Sequence, residues 1–209
     1  MHKLNDYRCP MIAILRGLTV EDSGAVGGIL FDAGFRLIEV PLNRAGAPGA
    51  IRALSEMAPR DAMVGGGTVL AVKDVDTVKE AGGKFIVSPN CVPEVIRRAV
   101  ELDMLALPGV CTPTEAFTAL DAGAHGLKLF PAEMIPPSVV KALRSVVPQE
   151  TYLLPVGGIH PNNIAAYVDA GASGFGIGGQ LYRPGIDLVT LRRAAEAFMN
   201  ARQALLPSH

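Results

Sequence analysis

Apolar residues in this chain fall in short unbroken runs more than in strict alternation with polar ones. Eight runs stand out: Met11–Arg16, Arg36–Pro41, Ala62–Gly66, Lys84–Ser88, Met104–Leu107, Gly126–Phe130, Tyr152–Val156 and Gly174–Gly178. Runs of this kind suit strands of a parallel sheet covered on both faces. The intervening segments are long enough for crossover helices. Helix starts are marked at Thr19-Val20-Glu21-Asp22, at Thr112-Pro113-Thr114-Glu115, which has the form of a capping box, and at His160-Pro161-Asn162-Asn163. Helix ends carry a recurring phrase: Asp32-Ala33-Gly34, Glu80-Ala81-Gly82, Asp121-Ala122-Gly123 and Asp169-Ala170-Gly171. Glycine after a last helical turn adopts the left-handed conformation cheaply. One βα unit is therefore being reused. Eight units in 209 residues, roughly 26 residues each, predict an α/β fold of the (β/α)8 TIM-barrel type. An open doubly wound sheet is the competing architecture. No linker divides the chain, so residues 1–209 are expected to form a single barrel domain, with Leu188–Leu205 as its closing helix.

Composition narrows the class. The chain is 49% hydrophobic and 19% charged with a formal net charge of -1, which speaks against disorder and against nucleic-acid binding. So near-neutral a surface gains little solubility from charge and favours self-association. The odd set of Cys9, Cys91 and Cys111 argues for a reducing compartment over a disulfide framework. The N-terminus has no apolar h-region and no run reaches membrane-spanning length, so a cytoplasmic location without membrane contact is expected.

Chemistry collects where the strands end, the catalytic face of such barrels. Lys128 lies inside Gly126-Leu127-Lys128-Leu129-Phe130-Pro131. Burial would lower its pKa and free an amine for Schiff-base formation. The plainer reading is a strand-end lysine with its head in solvent. Glu39, between Ile38 and Val40, is the strand-interior carboxyl that could shuttle protons for that amine. It could equally form a structural ion pair with Lys128, or a surface pair with an arginine. Arg16 ends the first run and suits a substrate carboxylate, though a rim salt bridge is possible. Thr68, after Gly65-Gly66-Gly67, could help hold the same group or simply cap a helix. Gly157-Gly158 and Gly178-Gly179 follow the seventh and eighth strands and would let backbone N–H groups approach a phosphate. They could also be tight turns without a ligand. The glycine spacing of Gly174–Gly179 imitates a dinucleotide fingerprint, but its first glycines fall within the strand, so no nucleotide cofactor is expected. His2, His125, His160 and His209 have no metal-ligand spacing, and no metal is expected. Cys91 and Cys111 read as small packing residues.

Several segments, in this order, resemble the class I aldolases that cleave 2-keto-3-deoxy-6-phospho sugar acids. They include Ile14-Leu15-Arg16-Gly17, Ile38-Glu39-Val40, Gly66-Gly67-Thr68-Val69, Val87-Ser88-Pro89, Leu127-Lys128-Leu129-Phe130-Pro131-Ala132 and Pro155-Val156-Gly157-Gly158-Ile159. The resemblance covers nearly the whole chain. It implies a Schiff-base role for Lys128 and acid/base work by Glu39. Arg16 and Thr68 would grip the pyruvate end, lined by Pro89, and Gly158 with Gly178-Gly179 would hold phosphate. It also implies a cofactor-free homotrimer. Gly179 departs from the pattern, since members commonly have serine there. The family has two branches that differ in the C4 epimer cleaved. Val156 and Pro41-Leu42-Asn43 resemble the phosphogalactonate branch; threonine and Thr-Leu-Arg are usual in the phosphogluconate branch. The expected substrate is thus a phosphorylated sugar acid that yields pyruvate. A phosphogluconate aldolase, a phosphate-binding isomerase or epimerase, and a catalytically silent barrel remain as alternatives.

Overall fold

A computed structural model describes residues 4–205. Among them, nine parallel strands and eight α-helices follow one another in βα order, except that β5 and β6 are consecutive. The strands are β1 (Met11–Ile14), β2 (Leu37–Pro41), β3 (Met63–Gly67), β4 (Phe85–Val87), β5 (Leu105–Leu107), β6 (Gly109–Val110), β7 (Gly126–Leu129), β8 (Tyr152–Pro155) and β9 (Phe175–Ile177). The helices are α1 (Val20–Ala33), α2 (Ala47–Met57), α3 (Val72–Glu80), α4 (Pro93–Glu101), α5 (Pro113–Asp121), α6 (Pro137–Arg144), α7 (Ile164–Asp169) and α8 (Leu188–Gln203). Six strands form a curled sheet in the order β5-β4-β3-β2-β1-β9, and three form a second sheet, β6-β7-β8. A parallel bridge between Val156 and Gly176 joins β8 to β9. Across the other gap, His125 N–H donates to the Ala106 carbonyl and Lys128 N–H to that of Pro108.

Each of the eight apolar runs holds a strand, β3 extending one residue past its run to Gly67. The ninth strand arises because Pro108 has no N–H to offer the ladder, so the fifth run continues as the separate piece β6. Arg16 and Val156, expected at the tips of strands, lie just beyond them. The helix ends follow the repeated phrase: Gly34, Gly82, Gly123 and Gly171 all have φ between 90° and 104°. At the starts, Thr19 accepts from Asp22 N–H, and Thr112 and Glu115 form the reciprocal capping box. The third start falls later than expected. Asn163 precedes α7, and its side-chain oxygen accepts from His160 N–H.

Side chains alternate across the strands and give the sheet two apolar faces. Ile38, Val40, Leu127, Leu129, Leu153 and Phe175 join the larger cluster under the helices. Ile12, Leu37, Met63, Phe85, Leu105 and Leu154 pack on the concave face, with Leu4 from a 3-10 turn, Leu4–Asp6, added to them. Lys128 and Glu39 have the strand parity of this concave set.

The glycines of β3 make room for their neighbours. A Cβ on Gly65 would lie 2.3 Å from the Phe85 carbonyl oxygen and 2.6 Å from its ring. Gly65→Ala should therefore cost about 1–3 kcal/mol. Gly28→Ala, in mid-helix with nothing within 4 Å of the new Cβ, should stabilise by about 0.5–1 kcal/mol. Urea midpoints of the two variants, moving in opposite directions, check both.

Candidate active site

Lys128 sits in β7 between Gly109 of β6 and Leu154 of β8, and only 7% of it is exposed. Its head is therefore not in solvent. Its ammonium nitrogen, Nζ, lies 4.7 Å from the centroid of the Phe130 ring, an arrangement that favours the charged form. Glu39 is 2% exposed. It pairs in register with Ile14 of β1 and Gly65 of β3. Its carboxyl fills the space a side chain at position 67 would need: a Cβ there would lie 1.8 Å from Glu39 Oε1. The other oxygen, Oε2, is buried and has no hydrogen-bond partner among the described residues, an arrangement that disfavours the carboxylate's charge.

Burial pushes the Lys128 pKa down; the charge of Glu39 holds it up and that of Arg16 lowers it further. Burial pushes the Glu39 pKa up, opposed by Lys128 and Arg16. Both groups are thus driven toward their neutral forms. They feel each other's charge, yet the ion pairs among the described residues do not join them. The structural salt bridge is not formed. Nor does Arg16, exposed at the rim, enter one.

Beside Lys128 opens a cavity of about 590 Å³. Ile14, Val156 and Gly176 line it together with Lys128. Gly176 must be glycine because Val156 Cγ2 would lie 2.7 Å from a Cβ there. Arg16, Gly157, Gly158, Gly178 and Gly179 also line it. Gly157 and Gly158 have φ of 110° and 60°. The Asn163 side chain donates to the Gly158 carbonyl at 2.9 Å, fixing that turn to the start of α7. A Cβ on Gly179 would meet nothing within 4 Å. After β9 no helix begins until Leu188, so the Gly174–Gly179 segment lacks the strand-to-helix turn of a dinucleotide site.

Thr68, Pro89 and Glu39 do not line the cavity. Thr68 is not a helix cap either: α3 starts at Val72, and Asp74 accepts from the N–H groups of Leu70 and Ala71. Its φ of 54° is strained for a β-branched residue, the kind of conformation that clusters at functional sites. Pro89 packs on the strand beside Lys128, its carbonyl 2.3 Å from where a Gly109 Cβ would lie. Ser88, next to it, is buried and donates to the Val69 carbonyl at 2.7 Å. Cys91 and Cys111 pack against the core, and His160 is exposed. The cavity adds residues that strand-end reading passed over: Arg44, Glu133 and Arg183. All three lie in connections, beyond the reach of hydrophobic periodicity. Arg44 directly follows Asn43, which also lines the cavity.

The chemistry available is that of a poised amine, a buried proton carrier and a cavity with cations and open backbone at its rim. Among the described residues, no cluster of three or more His, Cys, Asp or Glu could hold a metal ion. No helix among them is long and apolar enough to cross a membrane.

Known proteins share this sequence and shape. The family model described as "Aldolase: KDPG and KHG aldolase" matches residues 5–189. The 2-dehydro-3-deoxy-6-phosphogalactonate aldolase of Escherichia coli (strain K12) is 43% identical over 194 residues, 93% of this chain and 95% of that protein. A probable enzyme of the same name from Rhizobium meliloti (strain 1021) is 43% identical over 196 residues, 94% of this chain and 92% of the relative. A solved structure described as native KDPGal superposes with a TM-score of 0.92 at 42% identity, covering 95% of this chain and 96% of that one. With the match running through β2, β7 and the glycine turns, the chain belongs to the KDPG and KHG aldolase family.

Proposed function

We propose that this aldolase reversibly cleaves 2-dehydro-3-deoxy-6-phosphogalactonate to pyruvate and D-glyceraldehyde 3-phosphate through a Schiff base on Lys128. The observation that carries the reading is the buried pair of Lys128 and Glu39, coupled in charge but not in contact, beside a cavity rimmed by arginine and glycine. In this reading the two sheets act as one closed eight-stranded barrel, a single domain, and the chain works as a cytoplasmic homotrimer. The near-zero net charge supports assembly.

The neutral amine of Lys128 attacks the C2 ketone. Glu39 gives a proton to the departing hydroxyl, water leaves, and an iminium forms. Glu39, now a carboxylate, accepts the C4 hydroxyl proton through a water. The C4–O bond becomes a carbonyl, the C3–C4 bond breaks, and its electron pair moves into the iminium to give an enamine. The aldehyde departs. A proton returns to C3, water adds to the iminium carbon, and pyruvate is released with the free amine. The protein's own nitrogen cation is the electron sink throughout. Arg16 takes the substrate carboxylate through its fork of donors, and Thr68 and Pro89, set back from the cavity, support that end from the turns after β3 and β4. Gly157 lies alongside the substrate chain, and the backbone of Gly158, Gly178 and Gly179 takes the phosphate. The apolar Val156 beside C4 supports the galacto over the gluco epimer, because it offers no hydroxyl to the other arrangement.

Borohydride added with pyruvate should leave a reduced adduct on Lys128 and abolish turnover; an unmodified Lys128 would sink the reading. With the two C4 epimers as substrates, kcat/KM should favour the galacto form, and Val156→Thr should narrow the preference by roughly 10-fold. Equal rates in the parent would instead support the phosphogluconate reading.

Glu39→Gln separates the two buried groups. The ionised carboxylate raises the Lys128 pKa, so its removal lets that pKa fall. The acid limb of the trapping profile, scaled to its plateau, should move to lower pH, while turnover drops by about 10²–10⁴. Arg16→Met should move the same limb to higher pH, because Arg16 lowers the Lys128 pKa.

Gly179→Ser restores a hydroxyl where a Cβ meets no neighbour. KM for the phosphorylated substrate should fall roughly three- to tenfold at unchanged kcat. Steady-state kinetics decides it.

A further inference from the structure

Among the described residues lining the cavity, Glu133 is the one acidic side chain, and the mechanism above leaves it idle. It belongs to the 3-10 turn Ala132–Met134 that follows β7. That turn is firmly held. Ala132 N–H donates to the Val156 carbonyl at 2.9 Å, and the Tyr167 hydroxyl donates to the Ala132 carbonyl at 3.2 Å. The carboxylate lies over the glycine pair: a Cβ on Gly157 would be 2.3 Å from Oε2, and one on Gly158 would be 3.4 Å from Oε1. Among the described residues it forms no ion pair and no hydrogen bond, and it is exposed.

An ionised carboxylate only accepts hydrogen bonds. Opposite a phosphate it would repel. Opposite a hydroxyl it is a strong partner, because charge-assisted hydrogen bonds are roughly twice as strong as neutral ones. The order of residues tells which hydroxyl. On the aldolase reading Lys128 holds C2 and Val156 neighbours C4, which sets the adjoining Gly157, on the same cavity, toward C5. The phosphate, one carbon further, has the backbone of Gly158 and Gly178-Gly179 and the side chains of Arg44 and Arg183 on the same cavity. We propose that Glu133 is a specificity-determining residue that accepts a hydrogen bond from the substrate's C5 hydroxyl, which is the C2 hydroxyl of the aldehyde product. This rests on the aldolase reading above. The carboxylate then divides the far half of the cavity into a hydroxyl-reading side and an anion-holding side.

The test runs the reaction toward condensation, with pyruvate and either D-glyceraldehyde 3-phosphate or 3-phosphooxypropanal, which lacks the hydroxyl. The parent should favour the hydroxylated aldehyde in kcat/KM by at least about tenfold. Glu133→Ala should lose roughly 10- to 100-fold on that aldehyde and little on the other, so the preference collapses. Glu133→Gln keeps an acceptor oxygen and should retain part of it. Exchange of the pyruvate methyl protons, which needs only the Lys128 end, reports that each variant is folded. Equal losses on both aldehydes would reduce Glu133 to a prop for the glycine turn and overturn the proposal, as would an unchanged preference. A parent enzyme that exchanges no pyruvate protons and forms no borohydride adduct would instead remove the aldolase reading on which it stands.

Discussion

Two ionisable groups of opposite sign share the concave face of a sheet otherwise lined with hydrocarbon. Burial opposes the charge on each, and each opposes the discharge of the other. Direct contact would settle the contest as a salt bridge and bury both charges for good. The gap between them keeps the contest open, because neither charge is locked into a direct contact. Gly67 leaves the Glu39 carboxyl a volume that any side chain at that position would fill. The Phe130 ring acts on the Lys128 side, near enough to favour the ammonium without bonding to it.

The same logic of omitted side chains shapes the rest of the cavity. Gly176 makes room for Val156, whose backbone bridges to it and ties β8 to β9. Gly157 makes room for Glu133. Gly65 makes room for the ring of Phe85, which fills the concave face below the reactive layer. Packing and chemistry are therefore not separate layers of this fold. The hydrocarbon at one end of the concave face is what desolvates Lys128 and Glu39 at the other.

The strands and their parallel order were legible because both faces of the sheet are buried, which leaves runs such as Leu127–Leu129 readable whatever side they face. Helix ends were legible because glycine at a left-handed position is a chemical necessity, and the phrase ending at Gly34 recurs three more times. The oddity of Lys128 and Glu39 could be read as well, since charge inside apolar runs has few explanations. The meaning of Gly65-Gly66-Gly67 could not. A ligand explains such a triplet as readily as the side chains of Phe85, Val78 and Glu39, which are its actual neighbours. Pro108 showed no sign of splitting a strand, because its missing N–H matters only once the partner strand is known. Arg44, Glu133 and Arg183 stayed hidden for a related reason: loop residues carry no periodicity, and their convergence depends on how the sheet curls.

That convergence explains why the cavity carries both signs of charge. Arginines alone would serve a small dianion but would bind any anion of similar size with little regard to what joins its ends. The proposed substrate has an anionic group at each end and hydroxyls between. A carboxylate set among arginines penalises ligands that bring an anionic or featureless middle to that point, because its own desolvation is then uncompensated. A hydroxylated middle compensates it. Among the described residues Glu133 has no partner of its own to fall back on, so in the proposed role the penalty for a wrong ligand is felt in full, and selectivity comes as much from what the carboxylate rejects as from what it holds.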